Sequence, residues 1–441
     1  MPSSRSEQQA LSLLALPYDI QTLIVDHIRC TTNHTLRSIR LANKHFCHLA
    51  SEALVRFFEV DYRKCDYDDR SMFNLFHKTQ GPPPSVPTNV ELERTEQLES
   101  SDLLHAVRTL NIIYASPGAV SRHAQRIGAV NQAICRLLPR MRGLHDVHIR
   151  LSFGRLAYDN DILRTLSTYC PGVRLHYHHG HTMLHQQNSL ATGIIPELKG
   201  NHNLYALKLD IQYTNAQVCQ SNFPILKRVL LSCPNLRNLH LSIGMPTSGC
   251  VIYPVPDAYC GLGFANGEKL PPLEVLDLAR YPFERSARTH SLQDERNGEI
   301  SYWVEVFDWS QLRSLHCGDP VVTRQLLPRL TSLEKIRLSA GWEYDNEILL
   351  ACPLGLQGIQ CRHNGSPSQS TVTPWAGIQR HAHSLTSLEL HSPEGASSHK
   401  RPTLTAEQLL WLSSNAPNLT HLCIAVHRED TWVRHPLRFR A

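Results

Sequence analysis

One spacing recurs along this chain: an apolar residue, two intervening places, a second apolar residue, one place, and a third. It reads Leu144, Val147, Ile149, with His148 between the last two, then Leu204, Leu207, Leu209 and Leu236, Leu239, Leu241. It returns at Leu273, Leu276, Leu278 and at Leu312, Leu315, Cys317. Further copies are Leu333, Ile336, Leu338; Leu356, Ile359, Cys361; Leu385, Leu388, Leu390; and Leu419, Leu422, Ile424. Looser copies lie at 107–112 and 173–177. Neighbouring copies are roughly 20–40 residues apart, the range of units that stack on one another. The last two apolar places alternate with polar ones, which is the period of a short strand.

Upstream of most copies is a stretch with helical patterning, as at 223–232, 323–330 and 405–415. Three such stretches run into Cys-Pro, at Cys170-Pro171, Cys233-Pro234 and Cys352-Pro353, and Ala416-Pro417 repeats the arrangement. Proline cannot continue a helix and stops it. The small residue before it can pack inside as a modest hydrophobe. Helix, stop, strand, repeated, predicts an α/β fold: an irregular leucine-rich-repeat-like solenoid with a parallel sheet backed by helices. One unit cannot bury its own apolar face, but a stack can. The asparagine or cysteine that follows the strand in regular repeats is missing, so the expected stack is uneven.

Composition narrows the function. A chain of 441 residues is too long for one ordinary compact core, and its 41% hydrophobic content is enough to bury a large one. The formal net charge is +5, with no dense Lys/Arg block, so nucleic acid is not the expected partner. The 13 cysteines include no Cys-x-x-Cys pair. That argues against a zinc module and against a secreted disulfide scaffold, and predicts reduced thiols in a cytoplasmic and/or nuclear protein. No apolar run is long enough to span a membrane. The apolar stretch 11–17 lacks a small-residue cleavage site and runs straight into Tyr18-Asp19, so it is not read as a signal peptide.

Two clusters resemble sites. His176, His178, His179 and His181, with His185 beyond, are dense enough to suggest a metal, but no glutamate stands between them as in zinc proteases. The expectation is an exposed strand end rather than a metal centre. Gly261, Gly263 and Gly267 have the wrong spacing for a dinucleotide loop, and Pro271-Pro272 stands where a helix should begin. With no linked catalytic motif present, the chain is expected to be neither an enzyme nor a cofactor carrier.

A recognition face is the better candidate. The residue between the last two apolar places of each copy points away from the core. These residues form a column: His148, Lys208, His240, Asp277, His316, Arg337, Gln360, Glu389 and Cys423. Most are charged or histidine, which suits capture of a protein substrate.

The front of the chain differs from the repeats. After an N-terminus (1–10) expected to be disordered, Ile20, Ile24 and Ile28 mark one helical face behind Leu16-Pro17. A second helical run carries Leu36, Ile39, Leu41, Phe46 and Leu49, and 55–60 leaves it extended. The pattern of Leu13, Leu16-Pro17, Asp19, Ile20, Ile24, Ile28, then Leu36-Arg37, Ile39-Arg40-Leu41, Asn43-Lys44 and Phe46, resembles an F-box of the fungal type over about residues 11–57. The repeats behind it are similar to those of fungal F-box/leucine-rich-repeat proteins, notably around Gly261–Leu273, Phe307-Asp308-Trp309 and the Pro-Asn-Leu phrases at Asn235 and Asn418.

The resemblance implies a helical F-box-like module (11–60) docking the Skp adaptor and, through it, a cullin, so that the repeats (103–428) hold a substrate for ubiquitin transfer. It implies adaptor contacts from Leu16, Pro17, Ile20, Ile24, Leu36 and Leu41. A repeat-based interaction scaffold, its front module a degenerate F-box or a mere cap, is the alternative. Between module and repeats, 61–102 contains Gly81-Pro82-Pro83-Pro84 and an acidic stretch, and 78–102 is expected to be flexible. The last residues, 429–441, form a basic tail.

Overall fold

The computed structural model describes residues 16–62, 90–151, 160–184, 190, 195–244, 262–281, 283, 298–339, 342–362, 373–391 and 404–424, apart from 32, 43, 115–116 and 214–215. The expected disordered N-terminus, the proline-rich stretch and the basic tail lie outside the described residues. The chain divides into two compact units, one of residues 1–150 and 158–175, the other of 151–157 and 176–441.

The first unit opens with three helices, α1 (Tyr18–Thr31), α2 (Asn33–Ala42) and α3 (Lys44–Val55). The sequence suggested two helical runs; the second corresponds to two helices, α2 and α3. Val25, Leu36, Phe46, Leu49, Ala50 and Ala53 form a small core of their own, with Ile28, Ile39 and Leu54 packed against it. The extended piece after α3 is a strand, β1 (Phe57–Asp61), which pairs in parallel with β2 (Thr109–Tyr114). The repeat sheet therefore begins inside the segment assigned to the front module.

Between these strands the expectation of flexibility fails for 90–102. That stretch forms α4 (Val90–Glu99) and continues into a 3-10 turn, Asp102–Ala106. The acidic composition misled, because two polar side chains face inward. Glu91 and Thr95 are buried; Arg94 pairs with Glu91, and the Thr95 hydroxyl donates to the Glu91 carbonyl. The unit continues with α5 (Pro117–Leu137), β3 (Asp146–Leu151) and α6 (Asn160–Tyr169).

β4 (Arg174–Leu184) begins in the first unit and continues in the second. The second unit then runs β5 (Leu204–Tyr213), α7 (Ala216–Ser232), β6 (Asn238–Gly244), β7 (Val275–Leu278), α8 (Gly298–Val306) and β8 (Ser314–Cys317). It closes with α9 (Pro320–Leu326), β9 (Lys335–Leu338), α10 (Trp342–Ala351), β10 (Gly358–Arg362), α11 (Trp375–His381), β11 (Ser387–His391), α12 (Ala406–Asn415) and β12 (His421–Ile424). Among the described residues the strands follow one another in the sheet in chain order, β1 to β12, which is the order that stacked repeats produce. β5 through β12 pair in parallel, each with the next.

β3 and β5 to β12 each realise a copy of the sequence spacing. In β6 buried and half-buried residues alternate along the whole strand, and Leu239, Leu241 and Ile243 point inward. The helix stops are where the prolines put them: α6, α7 and α10 each end one residue before the cysteine of Cys-Pro, and α12 ends before Ala416. Burial pushes the Cys317 and Cys352 thiols up to about 12, so both stay protonated at neutral pH and serve as core. A feature the spacing did not reveal ties successive units together just before each strand. There the backbone N–H of Arg237 donates to the carbonyl of Tyr205, Glu274 to Arg237, Arg313 to Glu274 and Glu334 to Arg313. The same link continues from Gln357 to Glu334, Thr386 to Gln357 and Thr420 to Thr386, at 2.7–3.0 Å throughout. The asparagines of the Pro-Asn-Leu phrases add to it: Asn235 Nδ2 donates to the His202 carbonyl, and Asn418 Nδ2 to the His383 carbonyl.

Candidate binding face

The strand register places the predicted column side by side. Lys208 is the register partner of His240, His240 of Asp277, Asp277 of His316 and His316 of Arg337. Arg337 partners Gln360, Gln360 partners Glu389, and Glu389 partners Cys423. One residue from each of eight consecutive strands thus forms a continuous row on the side of the sheet opposite its leucines. His148 occupies the corresponding place on β3 in the first unit, where it is half-buried.

The row is not uniformly presented. Lys208 is exposed, whereas His240, Asp277, Arg337, Gln360 and Glu389 are half-buried by their neighbours. His316 is only 7% exposed, which corrects the expectation that it projects into solvent. It is drawn down against Asp277, where its Nδ1 lies 2.8 Å from Oδ1 but off the line of a good hydrogen bond. His240 Nδ1 lies 3.2 Å from the other carboxylate oxygen. Asp277 is therefore held between two imidazoles, and its Oδ1 also accepts from the Ala279 backbone N–H. Burial tends to raise the Asp277 carboxyl, but His240 and His316 outweigh burial and hold it well below the usual carboxylate range.

Glu389 repeats the arrangement further along. Gln360 Nε2 donates to its Oε2 at 2.6 Å, His391 Nε2 lies 3.0 Å from the same oxygen, and His421 Nε2 lies 3.3 Å from Oε1. Burial opposes ionisation here too, and the neighbouring His391, His421 and Gln360 prevail, keeping Glu389 below its ordinary value.

A pH prediction follows for Asp277. A carboxylate whose folded pKa is depressed adds stability above its unfolded pKa, near 4, and loses it as pH falls toward the folded value. Asp277→Asn should cost about 1.5–3 kcal/mol at pH 6–7, the range for hydrogen bonds to a charged group. Urea unfolding at a series of pH values should show the gap between wild type and variant closing below about pH 4. A gap that persists undiminished at pH 3 would exclude Asp277 as its source.

The predicted adaptor residues lie in the first unit, and the structure sorts them. Leu41 is 87% exposed and Ile20 42%; Pro17 is exposed, and Leu16 and Ile24 are half-buried. Leu36 is fully buried in the three-helix core and leaves no surface for a partner, so its place in that set is corrected. Leu23, which the isoleucine pattern passed over, is 64% exposed. It stands three residues from Ile20 on the same side of α1. Arg40, Leu41, Cys47 and Leu54 line a shallow depression between α2 and α3.

The histidine cluster does not converge. β4 alternates, so His176 and His178 face one side while Tyr177 and His179 face the other, where both are buried. This differs from the expected exposed strand end. The side chains of His181 and His185 lie outside the described residues. No group of three or more His, Cys, Asp or Glu side chains among the described residues is arranged to hold a metal ion. Likewise, among these residues no helix is long and apolar enough to cross a membrane.

Comparison with protein-family models and with curated proteins finds no match to this chain.

Proposed function

We propose that the chain is a non-catalytic substrate receptor of a Skp–cullin–F-box ubiquitin ligase, its front module docking the Skp adaptor and its strand row holding a protein substrate. The observation that carries this reading is the pairing of a self-contained three-helix core with large apolar residues left outside it, Ile20, Leu23 and Leu41. A helical cap whose only task is to cover a repeat stack has no use for a leucine exposed to this degree. The in-register polar row supports the other half of the reading, since fixed donors and acceptors on a rigid sheet suit selection of a partner. The reading places the protein in the cytoplasm and/or nucleus.

Co-purification tests it. The wild-type chain should bring down the Skp adaptor with its cullin, and Leu16→Ala with Pro17→Ala should lose both without unfolding. A wild-type chain that returns no adaptor would favour the interaction scaffold, which shares the strand row and lacks the ligase link.

A further inference from the structure

The outward side of β7 to β11 carries a second row beside the first. Ser314, Lys335, Gly358 and Ser387 are register partners two residues before His316, Arg337, Gln360 and Glu389. Together the rows line a groove of about 340 Å³. Three of the four residues in the second row are small, so the groove has a low floor. The stem of Lys335 leans across Gly358, where a Cβ would come within 3.1 Å of the lysine Cγ.

The charges in the groove do not cancel in pairs. Asp277 is occupied by His240 and His316, and Glu389 by Gln360, His391 and His421. Among the described residues no carboxylate comes within 4.0 Å of Arg337, Lys335 or Arg362. Arg337 is half-buried, and its Nε is enclosed without a hydrogen-bond partner. The buried Nε2 of His316, beside it in the row, also lacks one. A partly desolvated guanidinium with an unused donor is unfavourable until an anion joins it. Burial and the nearby charge of Arg362 both depress the Arg337 guanidinium, and an incoming negative charge would offset both effects.

Building on the reading of this face as the substrate side, we infer that the groove takes the carboxylate of a glutamate or aspartate presented by an extended protein segment, gripped by Arg337 with Lys335 closing over it. The ends of the segment would then lie along the polar row, where Gln360 and His240 have polar atoms to offer.

Fluorescence anisotropy with the full chain tests this directly. The probe is a labelled, end-blocked peptide of alternating glutamate and alanine, set against its glutamine and phosphoserine counterparts. The glutamate peptide should bind, lose affinity as salt rises, and bind roughly tenfold more weakly to Arg337→Gln, as loss of a charge-assisted contact implies. Arg313→Gln, a control cation paired with Glu334, should bind as wild type does. If Arg337→Gln melts early, Lys335→Gln at an exposed position should still show a several-fold loss. Equal binding of the glutamate and glutamine peptides, tighter binding of the phosphoserine peptide, or no binding of any peptide would overturn the assignment. The adaptor takes no part in this experiment. A chain that binds the glutamate peptide but ignores the adaptor keeps the groove and loses the ligase role, and the converse result removes the groove alone.

Discussion

Trp303→Ala should lower the stability of the second unit by about 3–5 kcal/mol, the cost of removing a large aromatic side chain from a packed core. Trp303 on α8 is fully buried. Its ring lies 5.2–6.1 Å, centroid to centroid, from those of Phe264, Tyr281, Phe283, Phe307 and Trp309, the last stacked on it and the others edge-on or tilted. Such pairs add to simple burial, and a close-packed core relaxes only in part around the space left behind. The backbone is drawn in too, because Trp309 Nε1 donates to the Trp303 carbonyl at 2.7 Å. Trp303 Nε1 itself is buried without a partner. Trp303→Phe should therefore cost much less than the alanine change, since it removes an unsatisfied donor along with part of the ring. Urea unfolding followed by tryptophan fluorescence and far-UV circular dichroism measures both. An alanine variant within 1 kcal/mol of wild type would mean that the aromatic cluster does not hold this part of the chain together.

Aspartate placed at neighbouring positions of β9 should give opposite results. Ile336 is 2% exposed and lies in register between Leu315 and Ile359. A charge there has no partner and costs several kcal/mol, enough to unfold the second unit. Lys335, one residue earlier, is exposed. Lys335→Asp should shift stability by no more than about 0.5 kcal/mol. Thermal melts of the two variants read the alternation of the strand directly. A reversed pattern, with aspartate tolerated at 336 and not at 335, would mean that the register is wrong by one residue, which exchanges the two faces.

That alternation was legible in the sequence because it rests on the shortest-range rule available. Leu276 and Leu278 face inward whatever the rest of the chain does, and Asp277 must then face out. The Cys-Pro stops were legible for the same reason: they act on their own helix. What stayed hidden depends on partners distant in sequence. Nothing local marks Glu91 and Thr95 as buried, since the partners seen within α4 suit an exposed helix equally well and Glu91 meets the distant Asp61 backbone N–H only when α4 packs. Leu36 and Leu41 look alike in a helical pattern, and only the position of α2 against α1 and α3 puts one inside and the other outside. His316 reads as an exposed row residue until Asp277, from the preceding strand, draws it down. The small-residue row of Ser314, Gly358 and Ser387 carries no apolar period and lies two residues before the polar row. A second column two residues earlier would have found it. The aromatic cluster joins Phe264 to Trp309 across a long interval, with no period to give it away.

The proposed receptor works through two surfaces: an apolar one on the front helices and a polar one on the sheet. Calorimetric titration of purified Skp adaptor into the purified chain tests the first surface without help from other cell proteins. Wild type should bind one adaptor per chain, Leu41→Asp should weaken that binding by roughly a hundredfold or more, as a charge set in an apolar contact does, and Arg337→Gln should leave it unchanged. A wild-type chain that binds no adaptor, or a Leu41→Asp chain that binds as well as wild type, would contradict the account.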